Sequence, residues 1–446
     1  MGRTLRGVGV VSLATLLLGS AYQGYSYAYP HKTAYRPLAT PRTLADVWAD
    51  EPRGALFLYV HVPFCAVRCG FCNLFATTTR DASEVEGYLA AIEHQAKTVS
   101  HDLSGARYAR LAIGGGTPSY LTAAQIDRLF GVLAQQLGVD PCALPTSFEL
   151  APVNTDAARL AALRAHGVDR VSIGVQTFDD DESRALGRPR RRGEVAAAIA
   201  LLREHGFATL NLDLIYGGAG QSLESWLASL ESALRFEPEE LYLYPLYVRR
   251  LTGLSHRDHR PDDGRLALYR AGRDLLLERG YRQLSMRMFR ASHAPATVGP
   301  EYCCQRDGMV GLGPGARSYT TDLHYSGEYA VGRTGVRAIL DRYLRTEDHS
   351  LVDYGFALDP EERRRRFVIQ GLLQAEGLDL AAYRTRFGND AERDLSELHE
   401  LVAHGLATAG ADRITLTAAG LERSDVVGPW LASQRVRQLM EGYAWR

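Results

Sequence analysis

The chain has 446 residues, of which 46% are hydrophobic and 23% charged, and its formal net charge is -1. This composition is typical of a soluble globular protein of two or three domains, or of one barrel-sized domain with an appendage. The near-zero net charge gives no bulk attraction to nucleic acids or anionic membranes, so we expect neither as a partner. Six cysteines are too few for a disulfide framework, and a reducing cytoplasm fits them best.

The first residues have the outline of a signal peptide. Arg3 and Arg6 precede the apolar run 8–18, and small residues follow at 19–21. The alternatives are an over-extended start or a short apolar arm, and the cysteine pattern described below leads us to expect a cytoplasmic protein. Residues 22–54 are rich in tyrosine, proline and basic residues but have no helical or strand period, so we predict an arm laid over a domain.

From residue 55 onward, short β-branched and apolar runs alternate with amphipathic stretches, which indicates an α/β fold with a parallel sheet. The predicted strands are 56–62, 110–113, 147–150, 170–175, 209–215 and 240–247. The predicted helices between them are 85–100, 123–137, 155–166, 193–205 and 223–236. Six such strands suit an open, partial (β/α)6 barrel better than a closed barrel of eight, and segments 283–289 and 309–319 are candidates to extend the sheet.

A mostly helical pattern follows the barrel. Helical segments at 361–374, 380–387 and 394–404 precede a strand-like stretch at 413–416. We therefore divide the chain into a tail and tyrosine-rich arm (1–54), a partial barrel (55–355) and a small, mostly helical C-terminal domain (356–446).

Three cysteines, Cys65, Cys69 and Cys72, follow the first predicted strand at CxxxCxxC spacing. A structural zinc usually has four protein ligands, for which Cys303 or Cys304 would have to complete the set. An iron–sulfur cubane with three thiolate ligands fits better, because its fourth iron is then open to a ligand from outside the protein. Three merely structural cysteines are the remaining alternative.

Other polar and glycine residues also lie at or just after the predicted strands. Gly114 to Gly116 follow the second strand, Glu149 lies in the third, Gln176 follows the fourth and Asp213 lies in the fifth. Because ligands of parallel α/β folds bind at the carboxyl ends of the strands, we expect these residues to share one site with the cysteines.

The cysteine motif, with an aromatic residue before its last cysteine, resembles that of the radical S-adenosylmethionine superfamily. LYVHVPFC, GGGTPS, SIGVQTF, LNLDLIYG and VGLGPGARSY resemble its oxygen-independent coproporphyrinogen III oxidase-like branch, over residues 55 to 430. The resemblance implies that Cys65, Cys69 and Cys72 bind a 4Fe-4S cluster whose open iron is chelated by S-adenosylmethionine, with one or two molecules of this cofactor bound. It also implies reductive cleavage of the cofactor to a 5′-deoxyadenosyl radical that activates a C–H bond of the substrate.

The resemblance implies further contacts to S-adenosylmethionine. The residues concerned are Tyr59, Phe71, Gly115, Gly116, Thr117, Glu149, Gln176, Arg188 and Asp213. Glu149 would accept hydrogen bonds from the ribose hydroxyls, and Arg188 would pair with the cofactor carboxylate. Core packing for the two aromatic residues, an ordinary turn for the glycines and a solvated basic face for Arg188 are the structural alternatives.

One position departs from the branch. The coproporphyrinogen oxidases carry a further cysteine two residues beyond the third ligand, where this chain has Leu74. We therefore expect a radical S-adenosylmethionine enzyme with an unidentified, small or tetrapyrrole-like substrate and a reductant such as flavodoxin or ferredoxin. Anaerobic coproporphyrinogen III decarboxylation and haem delivery by a chaperone on the same scaffold are the alternatives.

Two further segments are candidates for substrate contacts. The arm around Tyr25, Tyr27, Tyr29 and Tyr35 either shapes the substrate pocket or only attaches the arm by aromatic burial. Cys303 and Cys304 are candidate radical quenchers, auxiliary ligands or ordinary buried thiols.

Overall fold

The computed structural model describes residues 12–26, 28–188, 191–256, 264–296 and 308–446. These residues divide into two compact units. The larger unit comprises Tyr35–Gln283, Arg287–Asp359 and Ala444–Arg446. The smaller unit comprises Leu284–Met286, Pro360–Tyr443 and the described part of Met1–Ala34, so the N-terminal segment groups with the C-terminal helices.

The strands alternate with helices through most of the larger unit. In chain order the strands are β1 (Arg36–Thr43), β2 (Leu56–Val62), β3 (Phe64–Cys65), β4 (Thr77–Thr78), β5 (Tyr108–Gly115), β6 (Thr146–Leu150), β7 (Arg170–Gln176), β8 (Thr209–Tyr216), β9 (Glu240–Pro245), β10 (Tyr281–Gln283), β11 (Met288–Ala291), β12 (Met309–Leu312), β13 (Arg317–Tyr319), β14 (Leu323–Ser326), β15 (Leu351–Ala357), β16 (Leu378–Asp379), β17 (Ala407–Ala409) and β18 (Arg413–Leu416).

The α-helices, again in chain order, are α1 (Leu13–Leu17), α2 (Leu44–Trp48), α3 (Ala82–Asp102), α4 (Ala123–Leu137), α5 (Ala157–Ala165), α6 (Asp180–Ala185), α7 (Arg192–Glu204), α8 (Leu223–Leu234), α9 (Arg265–Glu278), α10 (Arg333–Arg345), α11 (Pro360–Leu372), α12 (Leu380–Phe387), α13 (Ala391–Asp394), α14 (Glu397–Ala403), α15 (Ala418–Leu421), α16 (Ser424–Trp430) and α17 (Gln434–Glu441). Short 3-10 helices lie at Lys32–Ala34, Pro118–Tyr120, Pro152–Asn154 and Gly253–His256.

A large open sheet organises the larger unit. Among the described residues its strand order is β1-β15-β14-β13-β12-β2-β5-β6-β7-β8-β9-β11-β10. All neighbouring strands from β12 to β9 in this order pair in parallel. The strands on either side of this set pair antiparallel. All six predicted strands are confirmed within this parallel set, and the α/β fold with an open sheet is confirmed as well.

Apolar side chains explain why these segments form the centre of the sheet. Residues of β2, β5, β7 and β8 are buried on both faces, as in Leu58, Ile113, Ile173 and Leu212. Parallel strands covered by helices read as nearly continuous apolar runs, because neither face meets water. Polar residues within these otherwise apolar strands are therefore candidates for a binding site, because the faces of the strands are not exposed to solvent.

The N-terminal arm contains one strand that the sequence pattern did not predict. β1 pairs antiparallel with β15, and its register is interrupted between Pro37 and Arg42. Proline is tolerated at an edge strand, where one side of the backbone needs no hydrogen-bond partner. Most β1 side chains are exposed, so the alternation that would have revealed the strand is missing.

The smaller unit combines short helices with a three-stranded sheet in the order β16-β18-β17. Its N-terminal segment is held by buried groups: Leu13 of α1 is fully buried, and Tyr29 contacts Glu362 and Ser433. Tyr27 lies outside the described residues. Within the described part of the chain, no helix is long and apolar enough to span a membrane.

Candidate functional site

The segment that carries the cysteines begins directly after β2, and its two ends pair with each other as the short strands β3 and β4. β3 and β4 pair in parallel, Phe64 with Thr77 and Cys65 with Thr78. The buried ring of His61 donates from Nε2 to the carbonyl of Phe75 (2.8 Å), because a carbonyl oxygen can only accept. We call residues 65–77 the cysteine loop; its two ends are fixed by backbone pairing.

The middle of the cysteine loop is also anchored. The N–H of Gly70 donates to the carbonyl of Leu186 (3.1 Å), and the carbonyl of Gly70 accepts from the N–H of Leu254 (2.7 Å). A Cβ at Gly70 would lie 2.8 Å from that Leu186 oxygen, so only glycine allows this approach. The hydroxyl of Tyr329 donates to the carbonyl of Asn73 (2.6 Å). The loop is therefore preorganised for a ligand.

The three cysteines differ in exposure. Cys65 is buried, whereas Cys69 and Cys72 are partly exposed. Burial raises the pKa of the Cys65 thiol to about 12, although the hydroxyl of Thr117 donates to its sulfur (3.4 Å) and lowers the pKa. Cys72 and Cys69 raise the pKa of Cys65 further, which indicates that the three sulfurs are close enough to interact. A metal bound here would have to displace the thiol protons.

The two metal hypotheses differ in the ligands that they require. A mononuclear zinc usually takes four protein ligands about 2 Å from one centre, and the candidates for the fourth, Cys303 and Cys304, lie outside the described residues. An iron–sulfur cluster with three cysteine ligands spreads them over several iron atoms and needs no fourth protein ligand. Among the described residues, no group of three His, Cys, Asp or Glu side chains is arranged to hold a single metal ion.

Three successive glycines lie at the end of β5, where the chain passes very close to neighbouring groups. A Cβ at Gly114 would lie 2.9 Å from the carboxyl carbon of Glu149, and one at Gly116 would lie 2.9 Å from the carbonyl oxygen of Phe64. Gly115 has a φ of +121°, which other residues adopt only with strain, and its N–H donates to Oε2 of Glu149 (3.0 Å). The glycine run thus brings Glu149 next to the cysteine loop.

Glu149 and Asp213 form a pair of carboxylates with little compensating charge. Water reaches Glu149 at the open ends of the strands, but surrounding protein removes much of its hydration. Burial, and then the charge of Asp213, raises the pKa of Glu149 to about 7. Burial also raises the pKa of Asp213 to about 6, although Asn211, Arg170 and Arg188 oppose the shift. The pair lies at the strand ends, where it can accept hydrogen bonds from a ligand.

Two residues that sequence reasoning did not single out support Asp213. The amide of Asn211 donates to Oδ1 of Asp213 (2.8 Å) and to the hydroxyl of Ser172 (2.7 Å), and that hydroxyl lies 3.5 Å from Oδ2 of Asp213. In register, Glu149 pairs with Ser172 and Ser172 pairs with Asn211. Asn211 could have been found from the sequence, because residues two apart in a strand lie on the same face and Asn211 lies two residues before Asp213 in an apolar strand.

Arg170, at the start of β7, is a third residue that the sequence did not reveal. It donates to Glu240 and to the hydroxyl of Ser147, and its charge lowers the pKa of both Glu149 and Asp213. Glu240 is almost fully buried and also pairs with Arg290. Since Glu240 already engages Arg170, that arginine only partly offsets the two site carboxylates.

Gln176 and Arg188 lie together beside the end of β7. Gln176 is buried and has a φ of +73°, and the pairing of β7 with β8 shifts register between Gly174 and Gln176. A Cβ at Gly174 would lie 2.8 Å from Nε2 of Gln176 and 3.2 Å from a guanidinium nitrogen of Arg188. Left-handed conformations of residues other than glycine cost free energy and concentrate at binding sites. Arg188 also lowers the pKa of Asp213 and Cys65.

The two predicted aromatic contacts belong to different apolar clusters. Tyr59 packs against the cluster of Phe57, Ala112, Met309 and Tyr319. Its hydroxyl lies 3.4 Å from Nδ1 of His61, which accepts because Nε2 carries the proton.

Phe71, in the cysteine loop, packs on a second cluster at the ends of β8 and β9. The members of this cluster are Leu186, Ile215, Leu246 and Leu254, with Tyr244 and Val248 against it. Phe71 therefore combines a core contact with a place in the cysteine loop. Leu74, at the position where the coproporphyrinogen oxidases carry a cysteine, is 45% exposed.

Comparisons with known proteins point to one family. The Radical SAM superfamily model matches residues 59–233, and the HemN C-terminal domain model matches residues 358–422. Oxygen-independent coproporphyrinogen III oxidase of Escherichia coli is 29% identical over 425 residues, which are 89% of this chain and 91% of the relative. The enzyme of the same name from Pseudomonas aeruginosa is 27% identical over 432 residues, 91% of each chain.

Among solved structures, coproporphyrinogen III oxidase (HemN) from Escherichia coli superposes with a TM-score of 0.76. The match covers 97% of this chain and 99% of that chain at 23% identity. Both compact units of this chain therefore have counterparts in one known fold.

Proposed function

We propose that the chain is a member of the radical S-adenosylmethionine superfamily, in its oxygen-independent coproporphyrinogen III oxidase-like branch, and that its own residues serve the reaction as follows. It is an oxidoreductase whose cofactors are a 4Fe-4S cluster and S-adenosylmethionine. When bound at the reduced cluster, S-adenosylmethionine is cleaved reductively and supplies a 5′-deoxyadenosyl radical that removes a hydrogen atom from the substrate.

Cys65, Cys69 and Cys72 would hold the cluster. The assignment is supported by the CxxxCxxC spacing, by the anchored loop that carries the cysteines and by sulfurs that are close enough to interact. Thr117 would keep a hydrogen bond to the sulfur of Cys65, which stabilises a thiolate. Hydrogen bonds to cluster sulfurs are one of the factors that set a reduction potential.

Glu149 and Asp213 would receive the polar and cationic parts of S-adenosylmethionine. The observation that carries this assignment is that both carboxylates have raised pKa values and that Glu149 accepts only one hydrogen bond from the described residues, from the N–H of Gly115. The ribose hydroxyls supply donors and the sulfonium supplies a positive charge, so binding would stabilise the ionised carboxylates. Arg188, held near Cys65 and Asp213, would pair with the cofactor carboxylate.

The remaining predicted contacts would shape the pocket. Gly115 and Gly116 keep the end of β5 free of side chains, and Gln176 fixes the turn at the end of β7. Tyr59 and Phe71 would exclude water from the neighbourhood of the cluster. We place the reaction in a reducing cytoplasm, because a cluster with an open iron tolerates oxygen poorly and six cysteines are too few for a disulfide framework.

The substrate is a small molecule, and we propose that it is tetrapyrrole-like but not coproporphyrinogen III itself. Similarity over about nine tenths of the coproporphyrinogen oxidase chains supports the class. Leu74 argues against the same substrate, because its side chain can neither donate a hydrogen bond nor undergo thiol chemistry as the cysteine of the relatives can.

Anaerobic reconstitution tests the proposal. We expect the reduced, cluster-loaded protein to release 5′-deoxyadenosine from S-adenosylmethionine, and to leave coproporphyrinogen III without decarboxylation when products are followed by mass spectrometry. Stoichiometric binding of haem with negligible cofactor cleavage would instead support the chaperone hypothesis. Deuterium transfer from candidate metabolites into 5′-deoxyadenosine would identify the true substrate.

A further inference from the structure

A row of polar residues crosses the neighbouring parallel strands β6, β7, β8 and β9 of the larger unit. In register, Glu149 pairs with Ser172, Ser172 pairs with Asn211, and Asn211 pairs with Glu240. Residues that pair in this way project from the same face of a sheet, and so do residues two apart in one strand. Asp213, two residues beyond Asn211 on β8, therefore shares this face and lies nearer to the open strand ends.

Asn211 uses its amide nitrogen twice within this row. Nδ2 donates to Oδ1 of Asp213 (2.8 Å) and to the hydroxyl of Ser172 (2.7 Å). Because an ionised carboxylate can only accept hydrogen bonds, the contact with Asp213 fixes which end of the amide is the nitrogen. Asn211 is 1% exposed, and its Oδ1 has no hydrogen-bond donor among the described residues. Since a buried acceptor without a donor disfavours folding, the favourable contacts of this side chain are those of its nitrogen.

Asp213 depends on the amide of Asn211 more than on the nearby positive charges. The titratable and charged groups around it on this face are Glu149 on β6, Arg170 on β7, Arg188 after β7, and Glu240 and Tyr242 on β9. Burial raises the pKa of Asp213 to about 6, and the hydrogen bond from Asn211 is the largest of the contributions that lower it, ahead of the charges of Arg170 and Arg188. A neutral side chain thus does more than either arginine to keep this carboxylate ionised.

We propose that Asn211 is a positioning residue that keeps the Asp213 carboxylate charged for S-adenosylmethionine. The inference rests on the proposed function, in which Asp213 receives a polar or cationic part of the cofactor. The hydrogen bond from Asn211 takes one acceptor position of Asp213 and leaves others to a ligand. At 1% exposure Asn211 is out of reach of a ligand at the strand ends, so it acts through Asp213.

The pH dependence of S-adenosylmethionine affinity tests this role. Asn211→Ala removes the donor, so the ionisation of the coupled carboxylates Glu149 and Asp213 moves to higher pH. In equilibrium dialysis against the reconstituted protein, we expect the variant to bind about tenfold more weakly than the wild type at pH 6.5, but within about twofold of it at pH 8.5, where both proteins are ionised. Calorimetry at pH 7 in two buffers of different ionisation enthalpy should show more protons released per bound cofactor in the variant.

Two further variants separate this role from a loss of folding. Ser172→Ala removes only the hydroxyl that lies 3.5 Å from Oδ2 of Asp213, and we expect the same pH dependence with a smaller effect, about twofold at pH 6.5. In an Asp213→Asn protein, whose carboxylate is missing, the further change Asn211→Ala should alter affinity by less than about twofold at every pH.

The matched control is Asn389→Ala. In the smaller unit the amide of Asn389 donates to Oδ1 of Asp394 (2.6 Å), so this variant removes an equivalent contact between an amide and a carboxylate. We expect its affinity for S-adenosylmethionine to equal that of the wild type at each pH.

Several results would overturn the role of Asn211. One is a loss of affinity in Asn211→Ala that is the same at pH 6.5 and at pH 8.5, because the residue would then serve the structure alone. Another is an undiminished effect of Asn211→Ala in the Asp213→Asn protein, since Asn211 would then act on a different group. A wild-type protein that holds its cluster but binds no S-adenosylmethionine would refute the proposed function instead. In that case the infrared band of the protonated carboxylic acid, followed against pH in the ligand-free wild type and Asn211→Ala, would still show whether Asn211 lowers the pKa of Asp213.

Discussion

Two carboxylates, one in each compact unit, have opposite surroundings. Glu362 of the smaller unit is 1% exposed and accepts hydrogen bonds from the hydroxyls of Tyr29 and Ser433. Glu149 of the larger unit accepts one hydrogen bond from the described residues, from the backbone of Gly115, and its pKa is raised to about 7. The first carboxylate is supplied with donors by the protein, whereas the second still has capacity for a ligand.

This difference separates structural carboxylates from binding ones. Glu182 shows the structural pattern within the larger unit, since it accepts from Thr177, Gln221 and Ser225. Folding supplies hydrogen-bond donors to the polar groups it buries, whereas a carboxylate at an open strand end keeps acceptor positions for a ligand. We therefore expect substitutions at the strand ends to reduce activity and substitutions in the Glu362 cluster to reduce stability.

Loss of a cluster ligand should have the largest effect. Cys69→Ala removes one of three thiolates, and we expect loss of the cluster absorbance and at least a thousandfold loss of S-adenosylmethionine cleavage without loss of the fold. Cys142→Ala is the matched control, because Cys142 is an exposed free thiol outside the cysteine loop. A Cys69→Ala protein with full cluster absorbance and activity would refute the cluster assignment.

Removal of the acceptor charge at Glu149 should have the next largest effect. Glu149→Gln keeps the shape of the side chain but removes the charge, and we expect about hundredfold weaker binding of S-adenosylmethionine with normal cluster content. Equilibrium dialysis against the reconstituted protein measures this. The control is Glu204→Gln, because Glu204 is an exposed carboxylate at the end of α7, and we expect this variant to bind S-adenosylmethionine like the wild type. Equal binding by the wild type, Glu149→Gln and Glu204→Gln would exclude Glu149 from the site.

The raised pKa values predict a smaller effect of pH. Above pH 7 both carboxylates are ionised, whereas Glu149 and then Asp213 become protonated as the pH falls through about 7 and about 6. A ligand that prefers the ionised pair must therefore bind more weakly at lower pH, by about tenfold between pH 8 and pH 6. Comparison of wild type with Glu149→Gln cancels the titration of the ligand itself. If the affinity for S-adenosylmethionine changed with pH to the same extent in the wild type and in Glu149→Gln, the titration of Glu149 would not contribute to binding.

The sequence predicted those parts of the molecule that depend on local pattern. Continuous apolar runs located six of the seven strands of the parallel set, and α4 was predicted at its observed bounds, where Thr122 forms a capping box. β1 was missed because Pro37 and its exposed side chains remove the alternation by which edge strands are recognised.

The contacts of the site were predictable only where spacing carries chemistry. Cysteine spacing and strand-end position identified Cys65 and Asp213 as candidates. Arg170 and Ser172 act across neighbouring strands, and their proximity depends on register, which no single segment encodes.

The smallest effect is expected in the Glu362 cluster. The hydroxyl of Tyr29 donates to Glu362 and accepts from the N–H of Ser433 (3.1 Å), and burial followed by the charge of Glu362 raises the pKa of Tyr29. Tyr29→Phe leaves both partners without this hydroxyl, so we expect the free energy of unfolding in urea to fall by about 1–3 kcal/mol. S-adenosylmethionine cleavage per folded molecule should stay unchanged.

A double-mutant cycle tests whether the Glu362 cluster acts as one unit. Ser433→Ala removes the second hydroxyl that donates to Glu362 (2.7 Å), and because both hydroxyls serve one carboxylate, the double variant should lose less stability than the sum of the single losses. Strictly additive losses would mean that the two donors are independent. Normal stability combined with impaired cofactor cleavage would reverse the comparison, since Glu362 would then serve the reaction and not the fold.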